Sequence, residues 1–382
     1  MTGALAPSAP ASTSRRLPVW TLVFWVLMVL GLYVSYLRVF RGLGAVTNLS
    51  DQFPWGIWIG FDILCGVGLA AGGFTLVAVV HIFNIERYKP ILRPAILTAF
   101  LGYLLVILAL MFDLGRPDRI WYALVMWNPH SVMFEVAWCV MLYTTVLALE
   151  FVPIVFERFG WKTPLNIMRA ISVPVVITGV LLSTLHQSSL GSLYLIVPTK
   201  LYPLWYTPLM PVFFYISAIC VGLAMTIFES WHSSREFGRR IELPLLSGMA
   251  RLLAVLLSMY VVLRLMDLGQ RGGLHLVLEP RTETWLWLLE MGLLIAPAIL
   301  LYSARVRRNA AALYACALMV VFGFVANRLN VSVTGMEAGL GTHYLPKWSE
   351  ITVTLAIIAL GFAIFRFAAR NLPVFDKAEP RA

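Results

Sequence analysis

Charged side chains are scarce in this sequence. Asp, Glu, Lys and Arg together make up 13% of its 382 residues, whereas an average soluble domain contains about 25%. Hydrophobic residues make up 60% of the chain, against roughly 45–50% in soluble domains. So little charge excludes an ordinary soluble protein and predicts a chain that crosses a membrane many times.

Cysteine and histidine are also few, and they are widely separated. The four cysteines lie inside apolar runs and form no CxxC pair: Cys65, Cys139, Cys220 and Cys316. This spacing argues against a metal site, whether zinc or an iron–sulfur cluster held by this chain. The six histidines do not include two at matching depth within apolar runs, so we do not expect a haem held by two histidines.

Apolar runs of about 20 residues, the length that a helix needs to cross a bilayer, recur along the chain. We predict ten transmembrane helices and therefore an all-α fold, in one transmembrane domain over residues 18–370. The predicted spans are 18–40, 55–83, 94–113, 131–152, 168–188, 208–229, 246–266, 285–304, 310–328 and 350–369. Residues 1–17 are expected to be a disordered N-terminus, and residues 371–382 a short tail.

Lys and Arg are distributed unevenly between the predicted loops. If the N-terminus lies in the cytoplasm, the cytoplasmic segments together with Arg366, near the end of the last span, hold 19 of the 29 Lys and Arg residues, and the outer loops together with Arg38, at the end of the first span, hold eight. Because positive charge accumulates on the cytoplasmic side, both termini are predicted to be cytoplasmic. The outer loops are longer and rich in Trp, Tyr and Pro, which is typical of a docking face or of an aromatic interfacial belt.

Two carboxylates fall inside the predicted membrane region. Asp62 lies about 10 Å below the outer end of the second helix, and Glu135 about 7–8 Å below the outer end of the fourth. A charge at such depth is costly unless it is paired, neutralised or hydrated, so both are candidate functional residues. His186 and Gln187, at the outer end of the fifth helix, add an imidazole and an amide; their alternative role is to cap the loop.

Other ionisable residues also fall in the outer half of the predicted bundle. We expect three of them to form ion pairs that hold helix ends: Arg264, Asp267 and Arg328. Two others, Glu290 and Glu350, are expected to face water at the membrane boundary. This distribution predicts a polar pocket that opens toward the outer face.

The inner half of the predicted bundle is much less polar. It contains boundary carboxylates, such as Glu150 and Glu229, that lie close enough to the cytoplasm to be hydrated. The sequence therefore does not predict a continuous charged path across the membrane.

Five stretches of the sequence resemble a known family. They are FPWGIWIGFDILCGVGLAAGG at 53–73, NPHSVMFE at 128–135, ALEFVPIVFERFGWK at 148–162, LHQSSLGSLYL at 185–195 and PLW at 203–205. These stretches resemble the NrfD-type, or polysulfide reductase-type, integral membrane subunits. The resemblance is strongest to the HybB-like branch, named for the membrane subunit of a periplasm-facing nickel–iron hydrogenase, with DsrP-like subunits of sulfur-metabolism complexes as relatives.

The resemblance implies a quinone-binding membrane subunit of a respiratory redox complex in the bacterial inner membrane. Such a subunit has no haem or iron–sulfur cluster of its own and anchors a periplasmic iron–sulfur subunit, and through it a catalytic subunit, here most simply a nickel–iron hydrogenase. It also implies two four-helix bundles, helices 2–5 (about 55–188) and helices 6–9 (about 208–328), with one flanking helix at each end.

The resemblance also assigns hypothetical roles to the candidate residues. His186 or Gln187 would hydrogen-bond an oxygen of menaquinone or ubiquinone, and Trp58 would pack on its ring. Asp62 and Glu135 would transfer protons, because quinone reduction takes up two electrons and two protons.

Two other functions are compatible with the same residues. A transporter or proton-translocating subunit would use Asp62 and Glu135 as gating carboxylates, and it requires a polar path or broken helices at mid-membrane. A passive anchor would need no buried carboxylates. The membrane subunit of a sulfur-metabolism complex is an alternative to the hydrogenase-linked one.

Overall fold

The computed structural model describes residues 19–238 and 241–375. Within these ranges ten helices are long and apolar enough to cross a membrane, which confirms the predicted all-α, ten-helix fold. They are α1 (Val19–Arg41), α2 (Trp58–Ile82), α3 (Glu86–Asp113), α4 (Val132–Phe159), α5 (Ser172–Ser192), α6 (Met210–Glu236), α7 (Leu243–Gln270), α8 (Thr282–Leu300), α9 (Ala310–Leu340) and α10 (Trp348–Asn371). The predicted disordered segment 1–17 and residues 376–382 of the predicted tail lie outside the described residues.

The helices pack as two rings of four, with α1 and α10 on one side. In the first ring α2, α3, α4 and α5 each contact the next, and α5 returns to α2; α6, α7, α8 and α9 do the same in the second ring. Helices α1 and α10 pair with each other, and α10 packs on α3. This packing agrees with the two-bundle organisation that the family resemblance implies, and we propose that division for the chain.

Helices α2 and α6 form the centre of the molecule, where the two rings meet. The most apolar stretch of α2 is 78% buried and that of α6 67%, compared with 17% for α1. The two helices cross where each has a glycine: a Cβ on Gly222 would lie 2.8 Å from backbone atoms of Ala71 and Gly72. Only a residue without a side chain permits this approach.

The structure differs from the predicted elements in two respects. Helix α9 continues past its predicted end at 328 through a π-helical segment, Asn330–Thr334, to Leu340. A short amphipathic helix, Lys162–Ala170, also forms between α4 and α5, where the sequence predicts a loop at 153–167. We call the end of the bundle that carries Trp58, Asp113 and Ser192 the upper end, and the opposite end the lower end.

Candidate functional site

Asp62 lies in an irregular part of α2. The helix begins with π-helical turns over Trp58–Cys65, a conformation that is rare and often found at functional sites. Asp62 is 7% exposed, and its Oδ2 accepts a hydrogen bond of 2.7 Å from Thr354 Oγ1 on α10. Trp58, one turn above, is 1% exposed and donates from Nε1 to the Glu350 carbonyl at 3.1 Å. Both side chains are therefore directed toward α10.

Asp62 is part of a polar group between α2 and the flanking helices, which we call the flank cluster: Arg38, Asp62, Asp113, Glu350 and Thr354. The Arg38 guanidinium donates to the backbone carbonyls of Phe112 and Leu114, and one carboxylate oxygen of Asp113 is buried without a partner in the described part of the chain. Asp113 lies near the Arg38 guanidinium and also near the carboxylates of Asp62 and Glu350, so it connects the cluster.

Glu350 does not face water as predicted; its side chain is fully buried. Its carboxylate accepts hydrogen bonds from the Tyr344 hydroxyl at 2.6 Å and from the Lys347 amide at 2.7 Å. Burial, together with the hydrogen bond to Glu350, raises the pKa of Tyr344 above its ordinary value. The prediction failed because the position of Glu350 at the start of α10 indicates only how deep this residue lies in the membrane. It does not indicate that the segment before α10 covers the Glu350 side chain.

The other predicted residues lie in a second group inside the first ring, which we call the bundle cluster. Its members are Tyr103, Glu135, Tyr143, Ser183, His186, Gln187 and Ser189. His186 is fully buried, and its Nδ1 forms a 2.8 Å hydrogen bond with the Tyr103 hydroxyl of α3. Its other ring nitrogen, Nε2, is buried without a partner among the described residues. Gln187 donates from Nε2 to the Val67 carbonyl of α2 at 3.3 Å.

Glu135 is more accessible than its predicted depth implied. It lies in the first turn of α4, its side chain is exposed, and its Oε1 accepts a hydrogen bond from the Ser189 hydroxyl of α5. The pair lies at the upper end between α4 and α5, near fully buried His186.

Helix α2 separates the five predicted residues into two sets. Trp58 and Asp62 face the flanking helices, whereas Glu135, His186 and Gln187 belong to the ring that α2 closes from the other side. The structure does not bring all five into one pocket. Arg38 and Asp113 also belong to the first set, and Tyr103 belongs to the second. The charges of Arg38 and Asp113 could have identified them from the sequence, whereas nothing in the sequence distinguished Tyr103.

A third polar group lies in the second ring, centred on Glu290. This carboxylate is fully buried rather than facing water as predicted. It accepts hydrogen bonds from Trp205 Nε1 at 2.9 Å, Asn327 Nδ2 at 2.7 Å and Asn330 Nδ2 at 2.9 Å. The contact with Trp205 fastens the loop between α5 and α6 to the second ring.

Of the three residues predicted to form ion pairs at helix ends, Asp267 does so, whereas Arg264 and Arg328 donate to uncharged groups. Arg328 donates to Asn327 Oδ1 and Ser217 Oγ, which are uncharged, and its guanidinium lies 3.6 Å from the centre of the Phe214 ring. Arg264 donates to the Leu204 carbonyl, and Asp267 pairs with Arg271, one turn further along α7. Amides, hydroxyls and aromatic rings thus surround buried Arg328 in place of a carboxylate.

Two small cavities lie away from the predicted residues. One, of about 10 Å³, is in the second ring and is lined by Ser217, Tyr260 and Asn327 among others. The other, of about 50 Å³, is near the lower end between α3 and α6 and is lined by Glu229 and three serines, Ser230, Ser233 and Ser234.

Comparisons with known proteins match most of this chain to one family. A family model described as "Polysulphide reductase, NrfD" matches residues 45–338. A protein from Nitratidesulfovibrio vulgaris is 39% identical over 91% of this chain and 92% of its own length. The probable Ni/Fe-hydrogenase 2 b-type cytochrome subunit of Escherichia coli is 34% identical, covering 92% and 91% respectively. The menaquinone reductase integral membrane subunit of N. vulgaris is 29% identical, covering 94% and 92%.

The name of the E. coli relative refers to a b-type cytochrome, a protein that binds haem. His186 is buried, whereas the other five histidines are exposed: His81, His130, His232, His275 and His343. The buried imidazole is bonded through one nitrogen to Tyr103, and no second buried histidine faces it. These residues do not fit a haem held by two histidines.

The family match covers more than half of the chain, and two relatives above 30% identity extend over nearly all of it. The family match at 45–338 includes nearly all of the two rings, with the bundle cluster and the Glu290 group. The chain is therefore a multi-pass membrane protein that belongs to the NrfD family of polysulphide reductase-type membrane subunits.

Proposed function

We propose that this chain is the quinone-reactive membrane subunit of a respiratory redox complex, and that it links a partner's iron–sulfur subunit to the quinone pool. The observation that carries the proposal is the His186–Tyr103 pair, fully buried in the upper half of the first ring behind exposed Glu135 and its buried partner Ser189. A quinone moves within the membrane and exchanges both electrons and protons, so it needs polar groups that can be reached from the lipid.

We place the quinone headgroup at the upper end between α4 and α5. Glu135 and Ser189 lie at the mouth of this site, and His186 lies behind them with one nitrogen available. Gln187 holds the end of α5 against α2 through the Val67 carbonyl and is proposed to orient the site. Quinone, whether menaquinone or ubiquinone, supplies the redox chemistry, while these side chains bind it and exchange protons with it.

Asp62 and Trp58, which lie on the other face of α2, also have roles in the proposed function. Asp62 is proposed to hold and release a proton within the flank cluster, where its Oδ2 accepts from Thr354. Trp58 is packed edge to face on Phe112, with ring centres 6.1 Å apart, and is bonded to the Glu350 carbonyl. Its proposed function is therefore to hold α2 and α10 together rather than to contact the quinone ring.

The upper end is proposed to face the periplasm and to dock the iron–sulfur subunit. The excess of Lys and Arg in the lower segments supports this orientation, and exposed aromatic side chains at the upper end, such as Trp121 and Trp127, support docking. A nickel–iron hydrogenase is the favoured catalytic partner because of the E. coli relative. A sulfur-metabolism complex is the alternative.

The test begins with purification of the chain together with the subunits and quinone that accompany it. Quinone-linked turnover is then measured for His186→Ala, Glu135→Gln and Asp62→Asn, with His232→Ala as the control because His232 is exposed near the lower end and bonded to Tyr314. Loss of a positioned proton-exchanging group predicts a fall of about 100-fold or more in the first two variants.

Activity of the partner with a soluble electron acceptor should stay normal, which would show that the complex is assembled. Normal quinone-linked turnover in all three variants would contradict the proposed site. Purification without any redox partner or quinone would contradict the proposed function itself.

A further inference from the structure

The short amphipathic helix Lys162–Ala170 lies at the lower end of the first ring, between α4 and α5. Its polar residues Lys162, Asn166 and Arg169 are exposed, and their intervals of four and three residues place them on one side of the helix. Leu165 is half-buried on another side. A helix divided in this way at the end of a membrane span is typical of a segment that lies in the plane of the membrane surface.

Large apolar side chains are exposed beside and on this short helix. Phe159 is 63% exposed, Trp161 55% and Ile167 56%. The ring centres of Phe159 and Trp161 lie 5.6 Å apart, so the two rings form one aromatic contact just before the short helix. In membrane proteins such aromatic side chains lie at the level of the lipid headgroups. They therefore locate the short helix at the boundary between hydrocarbon and water.

Positive charge is concentrated at the same corner of the molecule. Glu157 pairs with Arg93 at 2.9 Å and with Arg169 at 3.4 Å. Arg158 donates from Nε to the Asn371 carbonyl of α10 at 2.8 Å. Four basic side chains thus accompany a single carboxylate, and we call this group the basic patch: Arg93, Glu157, Arg158, Lys162 and Arg169.

Several N–H donors of the basic patch are free to bind an anion. Lys162 has no ion pair or hydrogen bond among the described residues. The Arg158 guanidinium uses Nε for the Asn371 carbonyl, which leaves its two terminal nitrogens available. The Arg169 side chain is 63% exposed. Charge-assisted hydrogen bonds from such groups to phosphate oxygens are among the strong ones in proteins.

We propose that the basic patch binds the phosphate of an anionic phospholipid, and that the short helix thereby holds the lower end of the first ring on the membrane surface. A phospholipid is the occupant because it presents a negative phosphate directly beside hydrocarbon, which matches Lys162 and Arg169 beside exposed Trp161. A water-soluble acidic protein would match the charges but not the apolar side chains. This inference is independent of the proposed function, since it involves neither quinone nor a redox partner.

The test uses the purified full-length chain in lipid nanodiscs, without partner subunits. Two photoactivatable lipids are compared: phosphatidylglycerol, which is anionic, and phosphatidylcholine, which has no net charge. Mass spectrometry of the crosslinked peptides then shows where each lipid was bound. Because each basic residue near an anionic surface contributes about a fivefold preference, peptides that cover 156–173 should take up the phosphatidylglycerol probe about tenfold more than the other. Equal uptake of the two probes would overturn the proposal.

Substitutions then identify the residues responsible. Lys162→Gln should lower the preference about fivefold, whereas Lys162→Arg, which keeps the charge, should retain it. Lys162→Gln combined with Arg169→Gln should bring the uptake of the two probes close to equality. The matched control combines Arg305→Gln with Arg308→Gln, which removes two exposed charges at the lower end between α8 and α9 and should leave the preference at 156–173 unchanged.

An unchanged preference in the double variant of the basic patch would overturn the proposal, and so would an equal loss in the control pair. Lys162→Gln breaks no hydrogen bond or ion pair of the described residues, so a folding defect does not account for a loss in that variant. Quinone-linked turnover is not measured in this experiment, and its outcome therefore stands apart from that of the proposed function.

Discussion

At the scale of single residues, the buried polar side chains are held mainly by uncharged partners. Glu290 accepts from an indole and two amides, and Arg328 donates to an amide and a hydroxyl and packs on aromatic rings. The Asn327 side chain bonds to both, so it connects the two charged groups. A buried charge without such partners is strongly destabilising. These contacts therefore explain how α8 and α9 accommodate buried Glu290 and Arg328.

Replacement of Glu290 tests this interpretation. Glu290→Ala leaves Trp205 Nε1 and Asn327 Nδ2 without an acceptor and Asn330 Nδ2 with only the Leu286 carbonyl, so we expect a loss of about 3–5 kcal/mol in the free energy of unfolding. Glu290→Gln keeps one acceptor oxygen and should lose less. The measurement is denaturant-induced unfolding in detergent micelles, and Glu86→Ala, at an exposed ion pair with Lys89, is the control that should leave the midpoint unchanged. Equal stability of Glu290→Ala and wild type would contradict this account.

At the scale of the elements, the glycines of α2 and α6 decide how closely the two rings approach. Along α2, a Cβ on Gly60 would lie 2.2 Å from Ser332 Oγ, and one on Gly68 would lie 2.1 Å from the Phe324 ring. Both contacts come from α9, while Gly72 meets Gly222 of α6. The glycine spacing of α2 is therefore explained by helix packing, which in membranes depends on small residues.

A pair of glycine substitutions tests the central crossing. Gly222→Ala would push its Cβ against the backbone of α2, and we expect a loss of about 1–3 kcal/mol in stability. Gly292→Ala, in α8 with open space around the added Cβ, should be neutral or gain up to about 1 kcal/mol from helix propensity. Unfolding of both variants in the same detergent gives the comparison. If Gly222→Ala is as stable as Gly292→Ala, the helices do not cross this closely.

At the scale of the whole molecule, alternation of ten helices puts the start of α1 and the end of α10 at the lower end. The lower segments hold most of the Lys and Arg, including Arg305, Arg307 and Arg308 between α8 and α9. The upper end has Trp121, Trp127 and Trp348 exposed. These features favour a cytoplasmic lower end and a periplasmic upper end.

This orientation can be measured by cysteine labelling, since all four native cysteines are buried and free. Leu345→Cys introduces a thiol at the upper end, where the native side chain is 78% exposed. Arg305→Cys introduces one at the lower end. In intact spheroplasts a membrane-impermeant maleimide should label the first and not the second, which should react only after the membrane is opened. The opposite pattern would overturn the orientation and the proposed docking face.

The sequence by itself determined the number of helices, their approximate positions and the family. Apolar runs of membrane-spanning length locate helices because an unsatisfied backbone cannot cross hydrocarbon, and the motif at 53–73 and the residues from Leu185 to Leu195 carry the resemblance that the family match confirms. The polar residues of the upper half were also identified, because their charge stands out in an apolar run.

Only the tertiary structure decided which of these residues meet. It placed Asp62 and His186 on opposite sides of α2, brought Tyr103 to His186, and surrounded Glu290 and Arg328 with uncharged partners. In a soluble helix the apolar face marks the side that packs inward. In a membrane both lipid and protein core are apolar, so hydropathy indicates the depth of a residue but not the direction in which its side chain points.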